Sequence, residues 1–198
     1  MKEFSAFSSI VVLALMIFFA PSSEAITIGF DPLSQSVSIG SPANVALEIS
    51  GLGDNVPPSL GTYDVDIAYD SAILTLGTVT FGNQLDLFGL GSIQLVTPGV
   101  GTVNIFELSL DLPDDLNSLQ ADSFALAYLS LDTLALGTSP LNLSINALGD
   151  ALGEPLIADI QSGRIDVVSG AIPEPSTLIL VGGGLVGLRS LRKRFKRR

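Results

Sequence analysis

Carboxylates are the most abundant titratable side chains in this chain. Asp and Glu account for 20 of the 198 residues, whereas histidine and cysteine are both absent. Without histidine the chain lacks the usual general base near neutral pH and the usual transition-metal ligand. Without cysteine it has no thiolate nucleophile, disulfide framework or thiolate metal site. These absences argue against catalysis, and we predict a protein that is not an enzyme.

Two groups of three aspartates lie close enough in sequence to gather oxygen ligands for calcium. The groups are Asp64, Asp66 and Asp70, and Asp111, Asp114 and Asp115. Neither group has the spacing of a known calcium-binding loop. A simpler explanation also exists for each, because alternate residues share the solvent side of a strand and aspartate is common in turns. Calcium therefore stays one alternative at both groups, and no other cofactor is predicted.

Signals for carbohydrate chemistry are weak. Modules that bind sugars usually present flat aromatic rings, but the chain contains no tryptophan. Its three tyrosines, Tyr63, Tyr69 and Tyr128, fall on strand sides that the pattern predicts to face inward. A glycosidase needs two carboxylates in different environments, and in so acidic a chain a chance pair carries no information.

Charge is distributed unevenly along the chain. Residues 26–172 contain seventeen carboxylates and one basic residue, Arg164, which gives this stretch a net charge of -16. The other basic residues lie at the two ends. Such a surface repels nucleic acid, whose binding depends on phosphate neutralisation by Lys and Arg. The acidity favours solubility, and it would also attract cations or basic partners.

The N-terminus has the pattern of a secretory signal peptide. Lys2 precedes an apolar run over 10–20, and small residues Ser23 and Ala25 stand at the positions that a signal peptidase reads. The apolar run is too short for a comfortable membrane span. We therefore predict a signal helix in residues 1–25 and cleavage after Ala25.

The C-terminus combines three parts. Pro173, Glu174 and Pro175 form an extended stretch, because proline lacks an amide donor and disfavours a helix before it. An uncharged apolar run over 177–188 then predicts a membrane helix. Basic residues follow it and would stay on the cytoplasmic side, which leaves the domain outside; they are Arg189, Arg192, Lys193, Arg194, Lys196, Arg197 and Arg198.

This tail, residues 173–198, resembles the PEP-CTERM sorting signal of Gram-negative bacteria. The resemblance implies an exosortase, a membrane enzyme of the transpeptidase type, as a partner, with cleavage near 173–176. It also implies transient residence in the inner membrane, then the cell surface or extracellular matrix, and a link to exopolysaccharide or biofilm. The alternative is a permanent tail anchor without processing.

Between the two ends, residues 26–172 read as one all-β domain. Apolar residues recur at every second position in short runs separated by Gly, Pro, Asn and Asp, as in 45–49, 63–69 and 141–146. We predict nine or ten strands, which implies a sandwich. Breaks are predicted at 51–58, 97–99 and 112–115, and helix only as short turns from Asp70 and over 113–119.

Part of this domain resembles a known family. In 63–79 an aromatic-Asp turn precedes a leucine and a further strand, as in cohesin domains, and 124–131 and 163–167 fit the same fold. The resemblance implies a jelly-roll sandwich that is shared with some carbohydrate-binding modules. Cohesins bind dockerins, but fold alone does not settle the partner.

The leading functional hypothesis is a non-enzymatic surface or matrix protein. The alternatives are a carbohydrate-binding module for the cell's own exopolysaccharide and a protein–protein adaptor of the cohesin type. The predicted partners are accordingly the sorting enzyme, the membrane through the C-terminal helix, and an extracellular polysaccharide or surface protein.

Overall fold

The computed structural model describes residues 25–170, which form eleven strands and one short helix. The predicted membrane tail and all of the predicted signal segment except Ala25 lie outside these residues. The elements are β1 (Thr27–Asp31), β2 (Ser34–Ser38), β3 (Ala43–Ser50), β4 (Leu60–Ala68), β5 (Leu74–Phe81), β6 (Ser92–Gly99), β7 (Thr102–Ser109), α1 (Pro113–Leu119), β8 (Phe124–Thr133), β9 (Gly137–Asp150), β10 (Asp159–Gln161) and β11 (Gly163–Val168).

The strands form two sheets. One has five strands in the order β10-β1-β3-β8-β5, and the other has six in the order β2-β11-β9-β4-β7-β6. Neighbours are antiparallel except for the pairs β1 with β10 and β2 with β11. The predicted all-β sandwich is confirmed, but the count of nine or ten strands is too low. The sequence missed β10 because its three residues are all exposed and show no alternation.

Alternation of apolar and polar residues builds the core between the sheets. On β4 the side chains of Tyr63, Val65 and Ile67 are fully buried, while the residues between them are partly exposed. On β3 Leu47 and Ile49 are fully buried in the facing sheet. Apolar area buried in this way is the main force that holds the sheets together. Strands β1 to β11 thus form a sandwich with its own core.

One buried side chain joins the two sheets through hydrogen bonds. The hydroxyl group of Tyr63, on β4, donates toward the carbonyl oxygen of Leu126 on β8 (3.1 Å) and toward Oε2 of Glu107 on β7 (3.2 Å). Oε1 of Glu107, which is 1% exposed, accepts from Ser92 Oγ and Gln94 Nε2. Burial raises the pKa of Tyr63 far above its ordinary value, and the charge and hydrogen bond of Glu107 add to the effect.

Gln120 fastens the ends of the sheets to the segment after α1. Its side chain is fully buried, its Oε1 accepts from the amide of Leu60, and its Nε2 donates to the carbonyl oxygens of Leu60 and Gln84 (both 3.0 Å). Leu60 begins β4 of the six-stranded sheet, and Gln84 follows β5 of the five-stranded sheet. One side chain therefore satisfies three backbone groups, two at the start of β4 and one in the loop after β5.

Three local predictions can be compared with the structure. The short helix over 113–119 is confirmed, and Asp70 Oδ1 accepts from the amide of Ala72 as expected. The predicted break over 97–99 is wrong, because β6 continues through Pro98 to Gly99 and the chain turns at the next two residues. Proline is tolerated there because β6 is an edge strand that pairs on one side only.

Within residues 25–170, no helix combines the length and the apolar character that a membrane crossing requires.

Candidate functional site

The outer face of the six-stranded sheet carries the most organised group of polar side chains. On β4 the inward residues alternate with Asp64 and Asp66, which point away from the core. In the register of the sheet, Asp66 lies opposite Asn104 on β7 and opposite Ser144 on β9. A bulge in the pairing of β4 with β9 falls between Asp64 and Val65, close to Asn146. Three adjacent strands therefore bring carboxylate and amide groups together.

Two asparagine amides hold the two carboxylates. Asn104 Nδ2 donates to Oδ1 of Asp64 (2.5 Å) and Oδ1 of Asp66 (2.9 Å). Asn146 Nδ2 donates to Oδ1 of Asp64 (3.1 Å) and Oδ2 of Asp66 (2.9 Å). We call these four residues the amide–carboxylate cluster. Hydrogen bonds to ionised acceptors are short and strong, so the cluster presents two negative charges in fixed positions.

An exposed apolar strip runs along one side of the cluster. It consists of residues on β6 and β7 whose side chains share the outer face in the register of the two strands: Ile93, Leu95, Phe106 and Leu108. Ile93 and Leu95 are 50% and 55% exposed. Strand β6 contains no charged residue, although the domain as a whole is strongly acidic. Aliphatic side chains next to fixed polar groups are typical of a surface that docks another molecule.

The structure gathers neither predicted aspartate group in full, because Asp70 lies apart from Asp64 and Asp66, and Asp111 lies apart from Asp114 and Asp115. Asp70 lies in the turn after β4, where its carboxylate caps Ala72. Asp111 is 9% exposed and its Oδ2 accepts from the amide of Leu87 (2.7 Å). Asp114 and Asp115 lie in the first turn of α1, where negative charge favours a helix. Within residues 25–170 no three acidic side chains are placed to hold a metal ion together.

The predicted sorting residues lie outside the described part of the chain, from Pro173 through Arg198. Ala25, the predicted signal-cleavage residue, is the first residue that the structure describes. Sequence reasoning missed Asn104, Asn146 and Gln120. For Asn146 a signal existed, because it falls on the solvent side of a strand that the alternation had identified. For the other two, only the pairing of distant strands reveals the role.

The prediction for the tyrosines is confirmed for two of the three. Tyr63 and Tyr69 are buried, whereas Tyr128 is 53% exposed on the outer face of the five-stranded sheet. The alternation changes phase just before it, where Leu126 and Ala127 are both buried and the register with β3 shifts. The expected inward position of Tyr128 is therefore wrong.

Comparisons with known proteins give a motif match for the C-terminal segment and a fold likeness for the described domain. Residues 171–194 match the family model of the PEP-CTERM protein-sorting motif. No curated protein matches the chain in sequence.

Solved cohesin structures are similar to the described domain. The sixth cohesin of scaffoldin B from Acetivibrio cellulolyticus, solved in complex with a dockerin, is 16% identical, with a TM-score of 0.59 over 73% of this chain and 100% of that one. A cohesin from Archaeoglobus fulgidus is 17% identical, with a TM-score of 0.55 over 74% of this chain and 93% of that one. The seventh cohesin of ScaB from Pseudobacteroides cellulosolvens is 16% identical, with a TM-score of 0.58 over 76% and 96%. The domain has a cohesin-like fold.

Proposed function

We propose that this protein is a non-enzymatic, exported surface protein whose sandwich domain docks a protein partner through the outer face of the six-stranded sheet. The observation that carries the proposal is the exposed apolar strip beside the amide–carboxylate cluster. Protein interfaces join an apolar centre that supplies affinity to polar groups that fix orientation. The two features lie on neighbouring strands, so one partner can contact both.

The charge of the face defines the partner. Asp64 and Asp66 accept hydrogen bonds from amides, so they are ordered before any partner arrives. An ordered pair of carboxylates suits lysine or arginine side chains, and the net charge of -16 on residues 26–172 would speed the approach of a basic surface. The partner is therefore a protein module with a basic rim around an apolar anchor.

The likeness to cohesins supports a protein ligand. The cohesin from Acetivibrio cellulolyticus was solved in complex with a dockerin, so its fold docks a protein module. For this chain we propose a dockerin-like module as the class of partner. The contact residues must be its own, because identities near 16% leave little of the surface in common.

The sorting motif supports a second partner. An exosortase-type enzyme would process the tail near Pro173 to Ser176 and place the domain at the cell surface or in the extracellular matrix. In this proposal the predicted membrane helix is a transient anchor. Intact mass of the protein from its own host tests this part. Loss of both ends in the wild type and a membrane-held form after deletion of 173–175 are expected, whereas a mature protein that keeps Arg192 would contradict processing.

Affinity capture with the fragment 26–172 tests the docking face. The wild-type fragment should retain a discrete protein from the extracellular fraction of the host, and digestion of polysaccharide should not release it. The double variant Ile93→Ser and Leu95→Ser should lose this protein by about tenfold or more, because it removes two exposed anchors.

A matched variant controls for nonspecific hydrophobic binding. Leu152→Ser with Ile157→Ser removes two aliphatic side chains that are 72% and 90% exposed outside the apolar strip. Capture should survive this change. Equal capture by all three fragments would overturn the docking face, provided that thermal unfolding shows each of them to be folded.

A further inference from the structure

The outer face of the other, five-stranded sheet contains an open depression with an exposed aromatic ring. Tyr128, on the central part of β8, lies opposite Ala46 on β3 and Thr80 on β5. Both neighbours have short side chains, so the tyrosine ring stands above its surroundings and is 53% exposed. In a chain with three tyrosines and no tryptophan, two tyrosines are buried in the core. Tyr128 alone among these three is left at the surface.

The depression beside this ring is lined by hydroxyl, amide and carboxylate groups. Its volume is about 460 Å³, and besides Tyr128 its polar lining comes from Asp31, Asn44, Glu48, Thr78, Thr80 and Ser130. A second depression of about 380 Å³ lies on another side of Tyr128, between the loop after β5 and the start of β8. Tyr128 lines both, so a ligand that crosses the ring can reach both. Volumes of this size suit small ligands or a few units of a polymer.

From this arrangement we infer that the outer face of the five-stranded sheet is a binding site for a neutral glycan chain, with Tyr128 as its stacking platform. A sugar ring presents C–H groups on one face, which pack on an aromatic ring, and hydroxyl groups around its edge. The edge hydroxyls can donate to the carboxylates of Asp31 and Glu48 and exchange hydrogen bonds with Thr78 and Thr80. Such pairing satisfies polar groups on both sides of the contact.

The lining also selects against other ligands. Asp31 and Glu48 place negative charge at the depression, and no basic side chain lines it, which disfavours an anionic polysaccharide. A protein partner would need exposed aliphatic anchors, but the aliphatic residues that line this depression, Val45, Ala46 and Leu129, are 3%, 9% and 2% exposed. The aliphatic anchors lie on the opposite face of the sandwich. The glycan site is therefore independent of the proposed protein-docking face.

Affinity electrophoresis on native gels tests the inference with the fragment 26–172, which contains the complete sandwich. The gels contain dextran, xylan, galactomannan or a mixed-linkage β-glucan as neutral probes, and alginate as an anionic probe. At least one neutral polysaccharide should retard the fragment, and alginate should not. The variant Tyr128→Ala should weaken the retardation about tenfold or more, because it removes the ring that the sugar covers.

Two variants make the test specific. Tyr128→Phe keeps the ring and should retain most of the binding. Phe88→Ala removes another aromatic side chain with the same exposed fraction, 53%, outside the depression, and should leave binding unchanged. Retardation by none of the neutral probes would overturn the inference. So would retardation that Tyr128→Ala leaves intact, or that Phe88→Ala weakens equally.

Discussion

The two outer faces of the sandwich share one core but differ in chemistry. The six-stranded face presents exposed aliphatic side chains and two carboxylates that are already held by Asn104 and Asn146. The five-stranded face presents one aromatic ring, Tyr128, above a depression lined by short polar side chains. The first arrangement suits an apolar partner with a basic rim, and the second suits a ligand rich in hydroxyl groups. The difference arises from the side chains, because both faces are built on the same alternation of strands.

The proximity of the faces matters for function. The two sheets and the core between them separate the faces, so the two proposals place a protein on one side of the domain and a glycan on the other. The protein-docking proposal and the glycan proposal can nevertheless be tested separately, because the two faces share no contact residue. Changes to shared elements should affect both faces, whereas changes to one face should leave the other intact.

Removal of the hydrogen bonds made by the Gln120 side chain should have the largest effect on stability. Gln120→Leu would leave the buried backbone groups of Leu60 and the half-buried carbonyl oxygen of Gln84 without their partner. We expect the free energy of unfolding to fall by about 2–4 kcal/mol, because buried polar groups without hydrogen bonds are costly. Denaturation in urea measures it.

The control for this change is Gln161→Leu, at an exposed position on β10. It should change stability by no more than about 0.5 kcal/mol. Capture of the protein partner and retardation by polysaccharide should decline together in Gln120→Leu near its melting temperature. A loss of stability below about 1 kcal/mol would show that the two sheet ends do not depend on this side chain.

Alkaline pH should lower the stability of the fold through Tyr63. Its pKa is raised in the folded state, so folding favours the neutral hydroxyl. The unfolded chain releases this proton above about pH 10, and stability that is fully present below this pH is lost as the pH rises further. We expect the free energy of unfolding to fall by about 1.4 kcal/mol per pH unit there.

Two Tyr→Phe substitutions, one buried and one at the surface, isolate the contribution of Tyr63 to the alkaline loss of stability. Tyr63→Phe should be less stable than the wild type at pH 8, since the hydrogen bond to Leu126 is lost, but it should lack the alkaline decline. Tyr128→Phe, on the surface, should keep the decline. Urea denaturation between pH 8 and 11 measures both, and parallel curves for wild type and Tyr63→Phe would refute the assignment.

The sequence predicts the six-stranded face better than it predicts the five-stranded face. Alternation in 63–69 and 141–146 identified the strands and the outward carboxylates of the six-stranded face. It could not show that Asn104 meets Asp66, because that contact depends on the register between β4 and β7. On the five-stranded face the phase change at Leu126 and Ala127 reversed the orientation of Tyr128. A bulge is set by pairing with a distant strand, so local pattern cannot locate it.

Neutralising the cluster should weaken docking without loss of fold. Asp64→Asn with Asp66→Asn removes two charges from the six-stranded face but keeps the size of the side chains. We expect about a fivefold loss of affinity for the captured protein at low salt, and a smaller loss at high salt because exposed charges are then screened. Retardation by neutral polysaccharide should be unchanged. A loss of affinity that does not depend on salt would speak against a basic partner.

Calcium should have the smallest effect. Oδ1 of Asp64 and both carboxylate oxygens of Asp66 already accept from two asparagine amides, and a cation that bridges the two carboxylates would have to displace these donors. Asp70 Oδ1 is likewise engaged by the amide of Ala72. We expect about 5 mM calcium to shift the melting temperature by less than about 1 °C, because a ligand stabilises only when its concentration exceeds its dissociation constant. Magnesium at equal ionic strength is the control. A shift of several degrees with calcium alone would identify a cation site and would require the amide–carboxylate cluster to rearrange around it.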